Sequence, residues 1–355
     1  MPGATGREMK GWAFAKCGTN SWGVAASVTK GTRWLGDGGV KLQPTYIEDR
    51  SFGESFLGPS EAGDYNPTDA TLGGQSRYED YHYVLEALAM GSPATVAIAT
   101  SAVGQTTSWT HVIDLAASID GLCATFARDN KQYIEEITSA KIYGFGETVG
   151  DGGICEETFK VLGVAPTEIS SININSTVYG ATFPSLLGKI ARNQGTFRIN
   201  AQSGGALAGT DAITTEAIEF SFERPQDRSY AYGSRNIIEP GDNEFPMPTL
   251  RVTFPRCNTV TCNSFRTALR VGTAYKGDVT YLGAFINSTD TYKKLYQFPY
   301  LELQDFAAPA QGAAQVKPQL TFIVKQPASA PTGMTGVTKP FRITRVMVNS
   351  THAFA

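Results

Sequence analysis

The chain has 355 residues, 41% of them hydrophobic and 18% charged, with a formal net charge of −3. That is enough apolar material for a sizeable core and enough length for two domains. No run approaches the roughly 18 apolar residues of a membrane-spanning helix, and no basic cluster marks a surface for reading bases. The 37 glycines and 18 prolines point to a turn-rich β architecture.

Residues 1–10 read as an arm; they lack an apolar core, so no secretory signal is expected. Gly11 to Trp34 mixes aromatics with Gly and Thr, and Val40 to Ser51 reads as a strand entering a turn. Phe52 to Gly74 is rich in Gly, Pro, Ser, Asp and Thr and reads as a long loop. The strongest helix signal follows, from Ser76 to Gly91. Ser76 and Glu79 have capping-box spacing, Tyr78, Tyr81, Leu85 and Leu88 recur at helical period, and Gly91 and Pro93 supply the stop. The spacing predicts an amphipathic helix with one stripe on a β structure. Strand alternation then covers Trp109–Leu115, Leu122–Phe126, Tyr133–Phe145 and Ile154–Val164.

Ile172–Tyr179 also alternates, and Pro184–Arg192 reads as a short helix. Phe197–Ala201 and Ile213–Glu223 read as strands, and Arg224–Pro248 as a second long loop. A strand at Leu250–Phe254 leads into a second helix, Thr261–Gly272. Strands are expected at Val279–Ile286, Leu295–Leu303, Leu320–Lys325 and Phe341–Asn349. The order of strand, long loop, helix and four strands thus occurs twice. This predicts two modules, 1–178 and 179–355, each with one helix on β structure. Charge divides the same way. Residues 1–178 hold 12 Lys+Arg and 21 Asp+Glu, a net of −9, whereas residues 179–355 hold 18 and 12, a net of +6. One explanation is chance on solvated faces; the sharper one is that the halves face each other, within a chain or between chains.

Catalytic patterns are not found: there is no G-x-S-x-G elbow, phosphate loop or H-E-x-x-H. Gly144–Gly150 has one residue too many for a dinucleotide fingerprint and reads as a hairpin turn. Glu135/Glu136 and Glu156/Glu157 are adjacent on strands, so the members of each pair point to opposite faces. His82 and His111 read as packing histidines, and His352 lies in the tail. The cysteines Cys17, Cys123, Cys155, Cys257 and Cys262 show no CxxC spacing and read as reduced thiols. The Asn-Ser-Thr triplets at Asn175, Asn287 and Asn349 read as polar turns. Tyr230 and Tyr232, near Arg228 and Arg235, read as loop residues that pack on a neighbour. No catalytic, cofactor-binding or metal-binding residue is assigned, and no cofactor is expected.

Taken together, several segments resemble the tail tube (major tail) proteins of long, flexible-tailed bacteriophages. In the first half these are Gly11–Gly38, the Phe52–Gly74 loop, the Tyr78–Met90 helix and the run Glu157–Gly163. In the second half they are Phe183–Ala201, Ala217–Arg224, and the helix and strands after Leu250. The resemblance implies a mostly β fold of two tandem β-sandwich or barrel modules, each flanked by one helix. It implies a structural virion protein rather than an enzyme, assembled in the host cytoplasm into stacked rings through which phage DNA passes without sequence-specific binding. A two-module chain of this kind would form trimeric rings of pseudo-sixfold symmetry. It would meet tape measure, tail terminator and distal tail proteins at the lumen and ends, and would have no membrane partner. The competing expectation is a carbohydrate-binding or receptor-binding β-rich tail component, suggested by Trp12, Trp22, Trp34 and Trp109.

Overall fold

The computed structural model describes residues 11–33, 44–47, 61–92, 95–100, 105–130, 133–149, 153–185, 188–256, 259–308, 316–351 and 354. The fold is mostly β, with 47% strand and 11% helix. The first half contains β1 (Trp12–Lys16), β2 (Lys30–Thr32), β3 (Pro44–Ile47), β4 (Glu61–Tyr65), β5 (Thr68–Gln75) and helix α1 (His82–Met90). It continues with β6 (Thr95–Thr100), β7 (Ser108–Asp114), β8 (Ala124–Asp129), β9 (Ile134–Val149), β10 (Cys155–Gly163) and the short helix α2 (Asn175–Gly180). The second half holds β11 (Gly195–Ala201), β12 (Ala212–Ile213), β13 (Ala217–Glu223), β14 (Thr249–Thr253) and helix α3 (Thr259–Val271). β15 (Ala274–Phe285), β16 (Thr291–Ala307), β17 (Gln319–Val324) and β18 (Arg342–Met347) complete it.

Two long strands organise these elements. β9 pairs antiparallel with β8, β10 and β13, and β16 with β15, β17 and β18. A strand has only two hydrogen-bonding edges, so each long strand serves different partners at its two ends. Sixteen strands thereby join one branched antiparallel sheet, and β3 and β4 form a separate hairpin. Two ladders cross the expected boundary at residue 178. β13 pairs with β9, Phe222 opposite Phe145, and β18 pairs with β7, Ile343 opposite Ile113. Helix α1 packs on β7 and β9, and α3 on β16.

The core is aromatic where the two halves meet. The Phe145 ring lies 5.5 Å from Phe222, 5.8 Å from Phe220 and 6.2 Å from both Phe159 and Phe341. Gly144 and Gly146 allow that approach. A Cβ on them would stand 2.7 Å from the Phe222 carbonyl oxygen and 3.2 Å from that of Phe220. These glycines are therefore strand residues against a neighbouring backbone, not the expected hairpin turn.

Other expectations change for stated reasons. The helix begins at His82, not Ser76. Ser76 follows β5 and gives its hydroxyl to Glu157 at 2.6 Å, and Glu79 accepts from the Val348 N–H, so no capping box forms. Asp80 accepts the N–H groups of Arg77 and His82 instead, at 2.9 and 3.0 Å. All nine α1 residues are buried, so the helix is not amphipathic but enclosed on every side. Its C-terminus is as read: Gly91 adopts φ 74°. The Phe52–Gly74 segment includes strands β4 and β5, and residues 51–60 lie outside the described residues, as do 1–10. Ile172–Tyr179 holds α2 rather than a strand, and Pro184–Arg192 holds no α-helix among its described residues; a single 3-10 turn, Arg192–Gln194, starts at its last residue. β6, an uncharged Thr-Val-Ala-Ile-Ala-Thr run, lacked the polar alternation that marks a half-buried strand.

Replacing Phe145 by Ala removes a ring that ties both halves. We expect a loss of about 3–5 kcal/mol in folding free energy, read as a lowered urea midpoint with an unchanged slope.

Candidate functional site

Among the described residues, the largest cluster of buried ionisable side chains lies under α1. On β18, Ile343, Arg345 and Met347 share the inward face, which places an arginine where apolar residues belong. On β16 the same parity places Lys294 with Tyr296 and Phe298. On β10 it places Glu157 with Cys155, Phe159 and Val161, and on β9 Glu147 with Phe145. His82 and Glu86 stand one helical turn apart on α1, and Asp80 precedes it. All these side chains are almost fully buried.

Burial of charge is tolerable only with full pairing, and here the pairing is complete for both permanent cations. Arg345 uses all its donors: Nε to Glu86 at 3.0 Å, Nη1 to Asp80 at 3.0 Å and the Arg77 carbonyl at 3.3 Å, and Nη2 to Glu86 at 2.9 Å and Glu157 at 3.2 Å. Lys294 faces Glu86 at 3.3 Å and donates to Glu147 and Glu157. Tyr296 donates to Glu147 at 3.0 Å, and His82 Nδ1 lies 2.6 Å from Glu157 and 3.3 Å from Asp80.

The carboxyls of Asp80, Glu86, Glu147 and Glu157 outnumber the two permanent cations. Burial favours the neutral form of Glu157, but Lys294, Arg345 and His82 together hold it well below the usual carboxylate range. Burial pushes Glu147 up, and Lys294 offsets this only in part. Burial pulls the His82 imidazolium down, yet the charges of Asp80 and Glu157 raise it above its ordinary 6.5.

Asp80, His82 and Glu157 also bring three possible metal-donor atoms within 4.8 Å. The set does not fit a metal ion. Two ligands on one tetrahedral ion stand roughly 3.4 Å apart, whereas His82 Nδ1 and Glu157 Oε2 are at hydrogen-bond separation, and Arg345 and Lys294 already occupy the carboxylates. The cluster can hold a proton and clamp five elements together.

The remaining sequence candidates are dispersed. Glu135 pairs with Arg128 at 2.5 Å, while Glu136, on the opposite face, accepts from Ser170 and Asn173, each at 2.6 Å. His111 Nε2 lies 2.7 Å from the Asn349 carbonyl. Trp12 is buried beneath the Arg128 guanidinium, Trp109 is half-buried, and Trp34 lies outside the described residues. Trp22 lines a cleft of about 390 Å³ with Thr138, Asn236 and Glu239. A second cleft, of about 320 Å³, runs between Phe197, Ile213 and Ile218. No acid of the network lines either. Among the described residues, no helix is long and apolar enough to cross a membrane. Neither a protein-family model nor a curated protein matches the chain.

The network went unread in the sequence because its members are scattered from Asp80 to Arg345. The available signal was parity: Arg345, Lys294, Glu157 and Glu147 each sit on the inward side of a strand.

Replacing Lys294 by Met leaves three carboxyls short of a cation. It should cost about 3–5 kcal/mol in a urea titration, with Glu157→Gln in the same chain restoring part of the loss. His82 carries a raised pKa, so its stabilisation is complete below pH 6.5 and disappears as pH rises through the folded value. The midpoint difference between wild type and His82→Gln should therefore be largest near pH 6 and shrink as the solution is made alkaline. Glu157 acts in the opposite sense: its contribution is present above 4.5 and is lost as pH falls through its depressed value.

Proposed function

We propose that the chain is a structural virion protein that polymerises into stacked rings forming a phage tail tube. The observation that carries this reading is the 224–248 loop. It exposes Tyr230, Tyr232, Ile238, Phe245 and Met247, with Phe245 90% exposed. The loop is nonetheless pinned to the body. Arg224 donates to the carbonyls of Ala116 and Ala117 at 2.5 and 2.9 Å, Lys141 to that of Pro240 at 2.5 Å, and Trp22 to that of Ile237 at 3.2 Å. Arg235 stacks over Tyr65 at 4.3 Å and donates to the Gly63 carbonyl, and Arg228 pairs with Asp69. An anchored loop with bare aromatics suits a surface that a second copy covers.

Sheet edges support the same reading. Among the described residues, β6 pairs only with β7 and β5 only with β10, and β6 carries no charge to deter pairing. Heterologous contacts of this kind close into rings or extend into tubes. The doubled order of elements favours three copies per ring, each supplying two modules.

A glycan-binding tail component is the second reading, favoured by the half-buried Trp22 in its polar-rimmed cleft. Electron microscopy of the purified protein separates the two. Rings or tubes, with a single-ring mass of three copies, are expected; dispersed particles that bind glycan would favour the second reading, and six copies would overturn the trimer.

The double variant Tyr232→Asp/Phe245→Asp should keep wild-type circular dichroism and thermal midpoint while losing elongation, because both side chains point to solvent in the single chain. Normal tubes from that variant would remove the loop from the contact.

A further inference from the structure

The β1–β8 ladder runs Ala13–Ala127, Phe14–Phe126, Ala15–Thr125 and Lys16–Ala124. One step further, Cys17 faces Cys123, and the Cys17 N–H donates to the Cys123 carbonyl at 2.9 Å. Directly opposed residues of an antiparallel pair place their side chains on one face, with Cα atoms about 5.5 Å apart at a hydrogen-bonded pair. That spacing is inside the roughly 4.4–6.8 Å window of a disulfide. Cys17 Sγ lies 3.4 Å from the Thr125 hydroxyl and 3.9 Å from the Thr138 carbonyl.

We propose that Cys17 and Cys123 are a redox-active dithiol that hydrogen peroxide closes into a disulfide bridging β1 and β8. Both sulfurs are buried, and the 390 Å³ cleft comes within one residue of Cys17. Thr138 lines that cleft, and its carbonyl is the one beside Cys17; Gly23, also in the wall, donates its N–H to Ser139 at 2.9 Å. One residue thus separates open space from the sulfur.

The roles of the two sulfurs differ. The Cys17 thiol is lowered to about 7, foremost by the hydrogen bond from Cys123; burial opposes this, while the hydroxyls of Thr125 and Ser139 and the charge of Lys16 assist. The same hydrogen bond, followed by burial, raises Cys123. Cys17 is accordingly the attacking thiolate. Its sulfur takes one oxygen from the peroxide, breaking the O–O bond and forming a sulfenic acid as the other oxygen leaves and is protonated to water. The Cys123 thiol then attacks that sulfur, giving up its proton as a second water leaves. Two thiols are oxidised by two electrons to one disulfide, and one peroxide is reduced to two waters. Cys155 is excluded from this chemistry: burial and the neighbouring Glu147 push it up to about 12.

The test uses the full chain, reduced, desalted and exposed to hydrogen peroxide. After catalase quenching, the protein is unfolded in N-ethylmaleimide and mapped by mass spectrometry without reductant. A Cys17–Cys123 linked peptide that disappears on reduction, with Cys155 alkylated and an upward shift in thermal midpoint, is the expected result. Complete alkylation of Cys17 and Cys123 after peroxide, or cross-links confined to other cysteines, overturns the proposal. Cys123→Ser supplies a second readout. Without its resolving partner, Cys17 should stop at the sulfenic acid and take up dimedone; a folded Cys123→Ser chain with no adduct at Cys17 overturns the assigned order of attack. The outcome is independent of ring assembly, since every contact involved lies within one chain.

Discussion

The constraint on which the fold depends is the need to neutralise Arg345 and Lys294 once both are out of water. Each cation is enclosed by carboxyls from α1 and the central strands, and none of these groups retains solvent to fall back on. A buried pair of this kind is weak evidence for stability, because an apolar replacement of the same volume is often as stable. Its effect is on geometry. Arg345 presents a planar fork whose donors are all used, so α1, β10 and β18 are held at one mutual orientation. A shift of β18 by one residue would turn Arg345 outward and take the guanidinium away from Glu86 and Asp80.

That clamp gives the uneven charge of the sequence a physical meaning within a single chain. Lys294 and Arg345 come from the basic half, and Asp80, Glu86, Glu147 and Glu157 from the acidic half. Arg342–Asp114 and Arg228–Asp69 repeat this sense nearer the surface, whereas Lys160–Glu223 and Lys141–Glu239 run against it. Buried pairs are little screened by salt, so this part of the attraction persists at any ionic strength. It works alongside the two cross-boundary ladders and the Phe145 cluster, which draw the same halves together by hydrogen bonding and apolar burial.

Outside this core the chain is built differently. The 224–248 loop has two isolated bridges, Gln226–Asp242 and Tyr230–Ile237, and is tied to the body from both sides: Arg224 donates to the Ala116 and Ala117 carbonyls, while Lys141, Trp22 and the Tyr65 N–H donate to the carbonyls of Pro240, Ile237 and Arg235. The buried charges of the interior are thus paired, while apolar surface is left at a loop and uncharged backbone at the β6 edge.

The β class, the second helix, most strands within a few residues and the Gly91 stop were legible in the residues, because alternation, helical period and positive-φ glycine are local properties of neighbours. The start of α1 was not legible there. Ser76 has cap chemistry, but Glu157, 81 positions away, takes its hydroxyl. Nor did the sequence reveal that the strand ending at Phe145 runs on through Gly146, since the backbone that Gly144 and Gly146 accommodate belongs to β13. His82 read as a packing histidine because its charge depends on Asp80 and Glu157 meeting in space. Which inward-facing charges met was settled by the packing of the folded chain. Parity assigns a residue to a face, whereas the partner that makes its burial tolerable is chosen by how distant strands cross.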